Sequence, residues 1–239
     1  MTLSQQRVLI VGGTSGFGFE VAQQALAAGA QVHLIGHRPE RVQAALTRLA
    51  AAGPAVQGTA LNAQDPQALR DFFAAQPAFD HVLSFLGGAM GGGFLDNSVA
   101  AIRQAIEDKF FTNLQLAQVV ATHLNDHGSL TLTSGAGGHP YDASGAIVGN
   151  QAINTLVAGL AVEMAPTYRV NAVAPTWTPT GLWRNLNAQQ EKEQETAFSA
   201  GVPLQRVATV GEVASAYLYL MQNAYVTGQV LAVDGGVDL

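Results

Sequence analysis

The sequence contains no cysteine. Disulfides, thiolate metal sites and cysteine nucleophiles are thereby excluded, and a cytoplasmic setting is the expected one. Charge is scarce as well, with Asp, Glu, Lys and Arg making up only 12% of the chain. Of these residues 17 are acidic and 11 basic, and the net charge of −6 argues against general nucleic-acid binding. The opening residues MTLSQQR lack an apolar signal core, so no secretory leader is expected. No run of about 20 apolar residues reads as a membrane span, and no membrane partner is expected. No metal site is expected either.

Hydrophobic residues, by contrast, make up 48% of the 239 positions, and 26 glycines punctuate them. That length suits one domain with a substantial core. So much Ala and Leu with so little charge points to a surface partly covered by another subunit.

The most informative stretch runs from Val8 to Gly29. Val8-Leu9-Ile10-Val11 is too short for a helix and suits a strand buried on both faces. Glycines follow at Gly12, Gly13, Gly16 and Gly18, and then a helical stripe of Phe17, Val21, Ala25 and Ala28. Strand, glycine turn and helix hold a dinucleotide pyrophosphate: glycines bring the backbone close, and the helix N-terminus presents free N–H groups. The spacing is G-x-x-x-G-x-G rather than G-x-G-x-x-G.

Strand-like and helix-like segments then alternate. Strands are expected at Gln31–Ile35, Val56–Leu61, Phe79–Leu86, Ser129–Thr133, Arg169–Ala174 and Val230–Val233. Helices are expected from Pro39 to about Ala52, from Asp65-Pro66 to near Gln76, and from Ser98 to about Leu124. Further helices follow at Gly145–Ala165 and Val210–Gln222. This alternation predicts a single-domain α/β fold, a doubly wound parallel sheet of the Rossmann type with helices on both faces. The polar, acidic segment Gly181–Gly201 reads as a lid over a cleft or as a solvated surface helix.

With these segments in view, the chain resembles the short-chain dehydrogenase/reductase family over nearly all its length. GGTSGFG at Gly12–Gly18, RVNAVAP at Arg169–Pro175, PLQRVATVGEVASAYLYL at Pro203–Leu220 and VTGQVLAVDGG at Val226–Gly236 carry the resemblance. It implies a nicotinamide dinucleotide held by Gly12, Thr14, Ser15, Gly16, Phe17 and Gly18 in the turn. Asn62, Gly87, Asn150, Pro175, Thr178 and Thr180 would contact it further along. At the end of the second strand, where an acidic residue would select NAD, this chain has Gly36 followed by His37 and Arg38. A missing carboxylate beside a guanidinium favours the 2′-phosphate of NADP, with NAD the less favoured cofactor.

The family's catalytic set is broken here. Counting back from Leu160-Ala161-Val162-Glu163 puts Ala146 at the Tyr position and Asn150 at the Lys position. Ser134 matches the family Ser, which polarises the substrate carbonyl. The position of the family's helix Asn falls on Lys109, and Asn113 lies one turn later. Lys109 belongs to the apolar stripe of its helix, with Ile102, Ala105, Ile106, Asn113, Leu116 and Val120. A lysine there either snorkels, pairs with a carboxylate such as Asp142, or works at reduced pKa as a proton donor. Tyr141 and His139 lie in the loop after Ser134, where either could be a proton donor or a packed loop side chain. Trp177 and Trp183 flank the lid segment and line either a substrate pocket or a packed interface.

Two functions follow from the resemblance. One is an NADP(H)-dependent oxidoreductase that moves hydride to a small carbonyl or polarised double bond, with Ser134, Lys109 and Tyr141 as its catalytic candidates. The other is a catalytically inactive NADP(H)-binding protein that acts as a sensor or partner subunit. A homodimer or homotetramer is implied in either case.

Overall fold

The computed structural model describes residues 2–52, 55–183 and 186–239. Seven parallel strands form one sheet in the order β3-β2-β1-β4-β5-β6-β7. They are β1 (Arg7–Val11), β2 (Gln31–Gly36), β3 (Val56–Ala60), β4 (Phe79–Ser84), β5 (Leu124–Thr133), β6 (Arg169–Pro175) and β7 (Val230–Val233). Between them run α1 (Gly16–Ala27), α2 (Pro39–Leu49), α3 (Pro66–Ala74), α4 (Val99–Ile106), α5 (Thr112–Val120), α6 (Ser144–Glu163), α7 (Ala188–Gly201) and α8 (Val210–Gln222).

Successive residues of a strand face opposite sides, and β1 shows what this does to packing. Val8 and Ile10 join one core with Val21, Leu34 and Tyr217, whereas Leu9 and Val11 join the other with Phe73, Leu116 and Leu132. Both faces are covered, as a fully parallel sheet requires. The strand order reverses between β1 and β4, and ligands of such sheets bind at the carboxyl ends beside that switch.

Two elements differ from expectation. The helix expected over Ser98–Leu124 is broken by a π-helical turn at Glu107–Phe111 and ends at Val120. Thr112 Oγ1 donates to the Glu107 carbonyl at 3.0 Å, and Asn113 Nδ2 donates to the Lys109 carbonyl at 2.6 Å. These side chains satisfy carbonyls that a widened turn frees. Strand β5 starts at Leu124 rather than Ser129, because Leu124 pairs with Phe79 before a register shift carries the ladder on to Ser129 opposite His81. The polar residues Asn125–His127 conceal that bulge in the sequence.

Helix α6 is 20 residues long and apolar enough to cross a bilayer by composition alone. In the fold it lies against α4 and β6, with Ile153, Val157 and Ala161 buried. The lid segment folds as a short 3₁₀ turn at Gly181–Trp183 followed by α7, whose Asn187 forms a capping box with Gln190.

Candidate active site

Two hollows meet at the carboxyl ends of β1 and β4. The narrower, about 410 Å³, is lined by Gly12, Thr14, Gly36, His37, Arg38, Asn62 and Gly87. The wider, about 730 Å³, is lined by Ser15, Gly16, Phe17, Gly18, Lys109, Ser134, Asn150, Pro175, Thr178 and Thr180. Gly12, Leu86 and Gly87 border both, so they form one continuous trough.

The turn after β1 is built for an anion. Ser15 stands at the N-cap of α1 without a side-chain capping bond, and no acidic residue sits in the first turn. The first-turn amides and the positive end of the helix therefore remain available. At the end of β2, a side chain on Gly36 would overlap the Thr14 methyl, so this position admits no carboxylate. Arg38 and Arg41 border the cleft beside it. Among the described residues the single carboxylate lining the narrow cleft, Asp108, is held by Gln64 and Gln104, each at 2.7 Å. These residues fit the adenosine end of a dinucleotide. Arg41, absent from the sequence reading, was legible as the residue one helical turn after Arg38.

Lys109 sits where the trough divides. It is 8% exposed, and its Nζ donates to the Ser134 carbonyl at 3.3 Å. No carboxylate pairs with it among the described residues, whose ion pairs are Lys192–Glu195 and Arg206–Glu212. Burial lowers its pKa from 10.5 to about 8. Asp142, the partner considered from the sequence, accepts the His139 backbone N–H instead. The π-helical turn sets this lysine, because Asn113 holds the Lys109 carbonyl while accepting the Ser84 hydroxyl proton at 2.5 Å.

Ser134 is buried beside Lys109, but its hydroxyl is turned away from a carbonyl-polarising role. Oγ donates to Asn154 Oδ1 at 2.6 Å and approaches the Asn150 carbonyl at 3.2 Å. A hydroxyl has one proton, so toward a ligand Ser134 is an acceptor. Asn154, also missed in the sequence, is one helical turn after Asn150 on the same face of α6. Ala146 and Asn150, at the positions where the resemblance expects Tyr and Lys, both line the wide cavity.

Tyr141 is the one catalytic candidate that the fold does not bring to the trough. It is 73% exposed, does not border the cavity, and lies against His139 with ring centroids 5.1 Å apart. Trp177, Trp183 and Phe198 line the wide cavity together with Met90 and Ile147. Phe198, Met90 and Ile147 had no distinguishing signal in the sequence.

Comparison with known proteins agrees with this fold. A family model described as enoyl-(acyl carrier protein) reductase matches residues 11–238. The chain is 32% identical to the short-chain dehydrogenase/reductase fsr5 of Gibberella fujikuroi, over 99% of this chain and 96% of that protein. A solved small-chain dehydrogenase in complex with NADPH is 30% identical, with a TM-score of 0.82 over 98% of this chain and 99% of that one. The fold also matches a short-chain type dehydrogenase/reductase from Mycobacterium ulcerans, with a TM-score of 0.90 at 24% identity, over 99% of this chain and 91% of that one.

Proposed function

We propose a function from an established premise: this chain belongs to the short-chain dehydrogenase/reductase family of oxidoreductases. It is an NADP(H)-dependent enzyme acting on a small carbonyl or polarised double bond, with Lys109, at the position of the family's helix Asn, as proton donor in place of the missing Tyr. The observation that carries this reading is Lys109, a buried ammonium without a carboxylate, facing the cavity beside the glycine turn.

When bound, the nicotinamide supplies or takes up a hydride. The chain's own residues position and protonate. The amides of the Gly12–Gly18 turn would hold the diphosphate, and Arg38 with Arg41 would hold the ribose phosphate. A carbonyl carbon that accepts hydride leaves an oxygen in need of a proton, and Lys109 gives it one, becoming a neutral amine that regains its proton from solvent. A pKa of about 8 keeps Lys109 mostly charged at pH 7 and ready to release. Ser134 accepts a hydrogen bond from the alcohol formed or from Lys109 itself.

The second reading, a cofactor-binding protein without turnover, has its own supports. No tyrosine hydroxyl borders the trough among the described residues, and the Ser134 proton is committed to Asn154. Purified protein, NADPH and a panel of aldehydes, ketones and quinones separate the two. The enzyme reading expects loss of nicotinamide absorbance with at least one panel member. The binding reading expects thermal stabilisation by NADPH with no turnover. Self-association through the exposed Val99, Val148 and Val162 of α4 and α6 belongs to the same proposal.

A further inference from the structure

We infer that Asp108 selects the base of the bound dinucleotide, accepting a hydrogen bond from the exocyclic amine of adenine in the narrow cleft. This rests on the NADP(H) reading of the trough. Asp108 lies in the π-helical turn, is partly buried, and borders the cleft together with Leu61, Asn62 and Ala63. The two glutamines that hold it come from different elements, Gln64 from the loop between β3 and α3 and Gln104 from α4. Both donate to the same oxygen, Oδ1, each at 2.7 Å. They fix the carboxylate in one orientation and leave Oδ2, an acceptor with two lone pairs, to face a ligand. Gln64 is itself tied down, since its backbone N–H donates to Asn62 Oδ1 at 3.2 Å.

An ionised carboxylate only accepts, so the part of a ligand that meets it has to donate. The arginines of the cleft do not take up this acceptor. Arg38 and Arg41 border the same hollow, yet the ion pairs among the described residues are Lys192–Glu195 and Arg206–Glu212. The cleft thus offers cations just past the end of β2 and a fixed acceptor on the π-helical turn, as two separate points. Adenosine with a phosphate on its ribose presents the matching pair, an anion and a neutral amine. A base with an oxygen in place of that amine turns a lone pair toward the carboxylate, and attraction becomes repulsion. Hypoxanthine and guanine are disfavoured on this ground.

Equilibrium titration of the full chain tests this without any turnover. The probes are NADPH and its 6-deamino analogue, reduced nicotinamide hypoxanthine dinucleotide phosphate, which differ at the base alone. The unmodified protein should bind NADPH about tenfold more tightly than the analogue, the discrimination that one good base contact supplies. Asp108→Ala should weaken NADPH by about tenfold and the analogue by less than about twofold, so that the preference collapses. Asp108→Asn keeps the size of the side chain and adds a donor, and it should bind the analogue about threefold more tightly than the unmodified protein does. Where the alanine variant loses its helical circular dichroism, Asp108→Asn decides alone. Equal binding of both nucleotides by the unmodified protein overturns the inference and leaves the cofactor reading standing. A preference that survives in the variants does the same, and equal weakening of both nucleotides is what a merely structural Asp108 gives. No saturable binding of either nucleotide removes the cofactor reading itself, and the inference with it.

Discussion

At the scale of single residues, the reactivity of this molecule is concentrated in Lys109. A lysine on a buried stripe was legible from helical spacing alone, because Ile102, Ala105, Ile106 and Leu116 share its face. Its environment was not legible: the Ser134 carbonyl reaches it from a different strand, and the absence of a carboxylate is a tertiary fact. Replacing Lys109 by Met should lower kcat for reduction about 100-fold or more, the lower range for losing a general acid. In the unmodified enzyme, kcat for reduction should fall as pH rises through about 8, as the ammonium is lost. Stability should move the other way. The folded pKa lies below the unfolded value of 10.5, so the unfolded chain binds the extra proton between about pH 8 and 10.5. The buried charge is a cost that disappears across that window. Lys109→Met should thus be more stable than the parent at pH 7, by up to about 3 kcal/mol from the size of the shift. Urea unfolding at pH 7 measures it, and a variant that is both inactive and less stable would count against a buried, unpaired ammonium. Arg38 offers an independent residue-scale test. Arg38→Gln should raise KM for NADPH about tenfold, roughly 1.4 kcal/mol, and leave KM for NADH nearly unchanged.

At the scale of elements, strands and helices were readable because apolar runs and helical stripes alternate with glycine and proline stops. The site's decisive element was not. The π-helical turn at Glu107–Phe111 leaves no mark in hydrophobic periodicity, since it is made by Thr112 and Asn113 binding carbonyls within the helix. One position in α6 tests how closely that turn and α6 are fitted. A methyl on Gly149 would sit 3.0 Å from both Cβ and Cγ of Lys109. Helix propensity alone favours alanine over glycine by about 1 kcal/mol. Gly149→Ala should therefore keep its helical circular dichroism and melting temperature within a few degrees, while turnover falls tenfold or more as Lys109 is displaced. Unchanged turnover would mean that Lys109 has room to move and that its position is not set by α6.

At the scale of the whole molecule, two buried histidines at the other end of the sheet make stability depend on acid. His33 on β2 bonds Thr59 Oγ1 at 2.9 Å, and His81 on β4 bonds Ser129 Oγ at 2.8 Å. Burial lowers each pKa from 6.5 to about 4, with Arg7 adding to the effect at His33 and Arg169 at His81, where Asp80 opposes it. The sequence showed both residues inside strands, but of these neighbours only Asp80, beside His81 on β4, since the rest come from other strands. Both imidazoles are neutral in the folded chain at pH 7. Between about pH 6.5 and 4 the unfolded chain binds protons that the folded chain refuses, so stability is lost as pH falls through that window. Each shift corresponds to up to about 3 kcal/mol, and the two together approach half of an ordinary domain's stability. The urea midpoint should accordingly drop between pH 7 and pH 4.5, with proton uptake on unfolding rising toward two. A midpoint that stays level over that range would show that the two imidazoles titrate freely in the fold. The same window separates folding from chemistry. Lys109 remains protonated in acid, so reduction has no reason to slow there except unfolding. Activity and the far-ultraviolet circular dichroism signal should therefore disappear together on the acid side, whereas above pH 8 activity should decline with the fold intact.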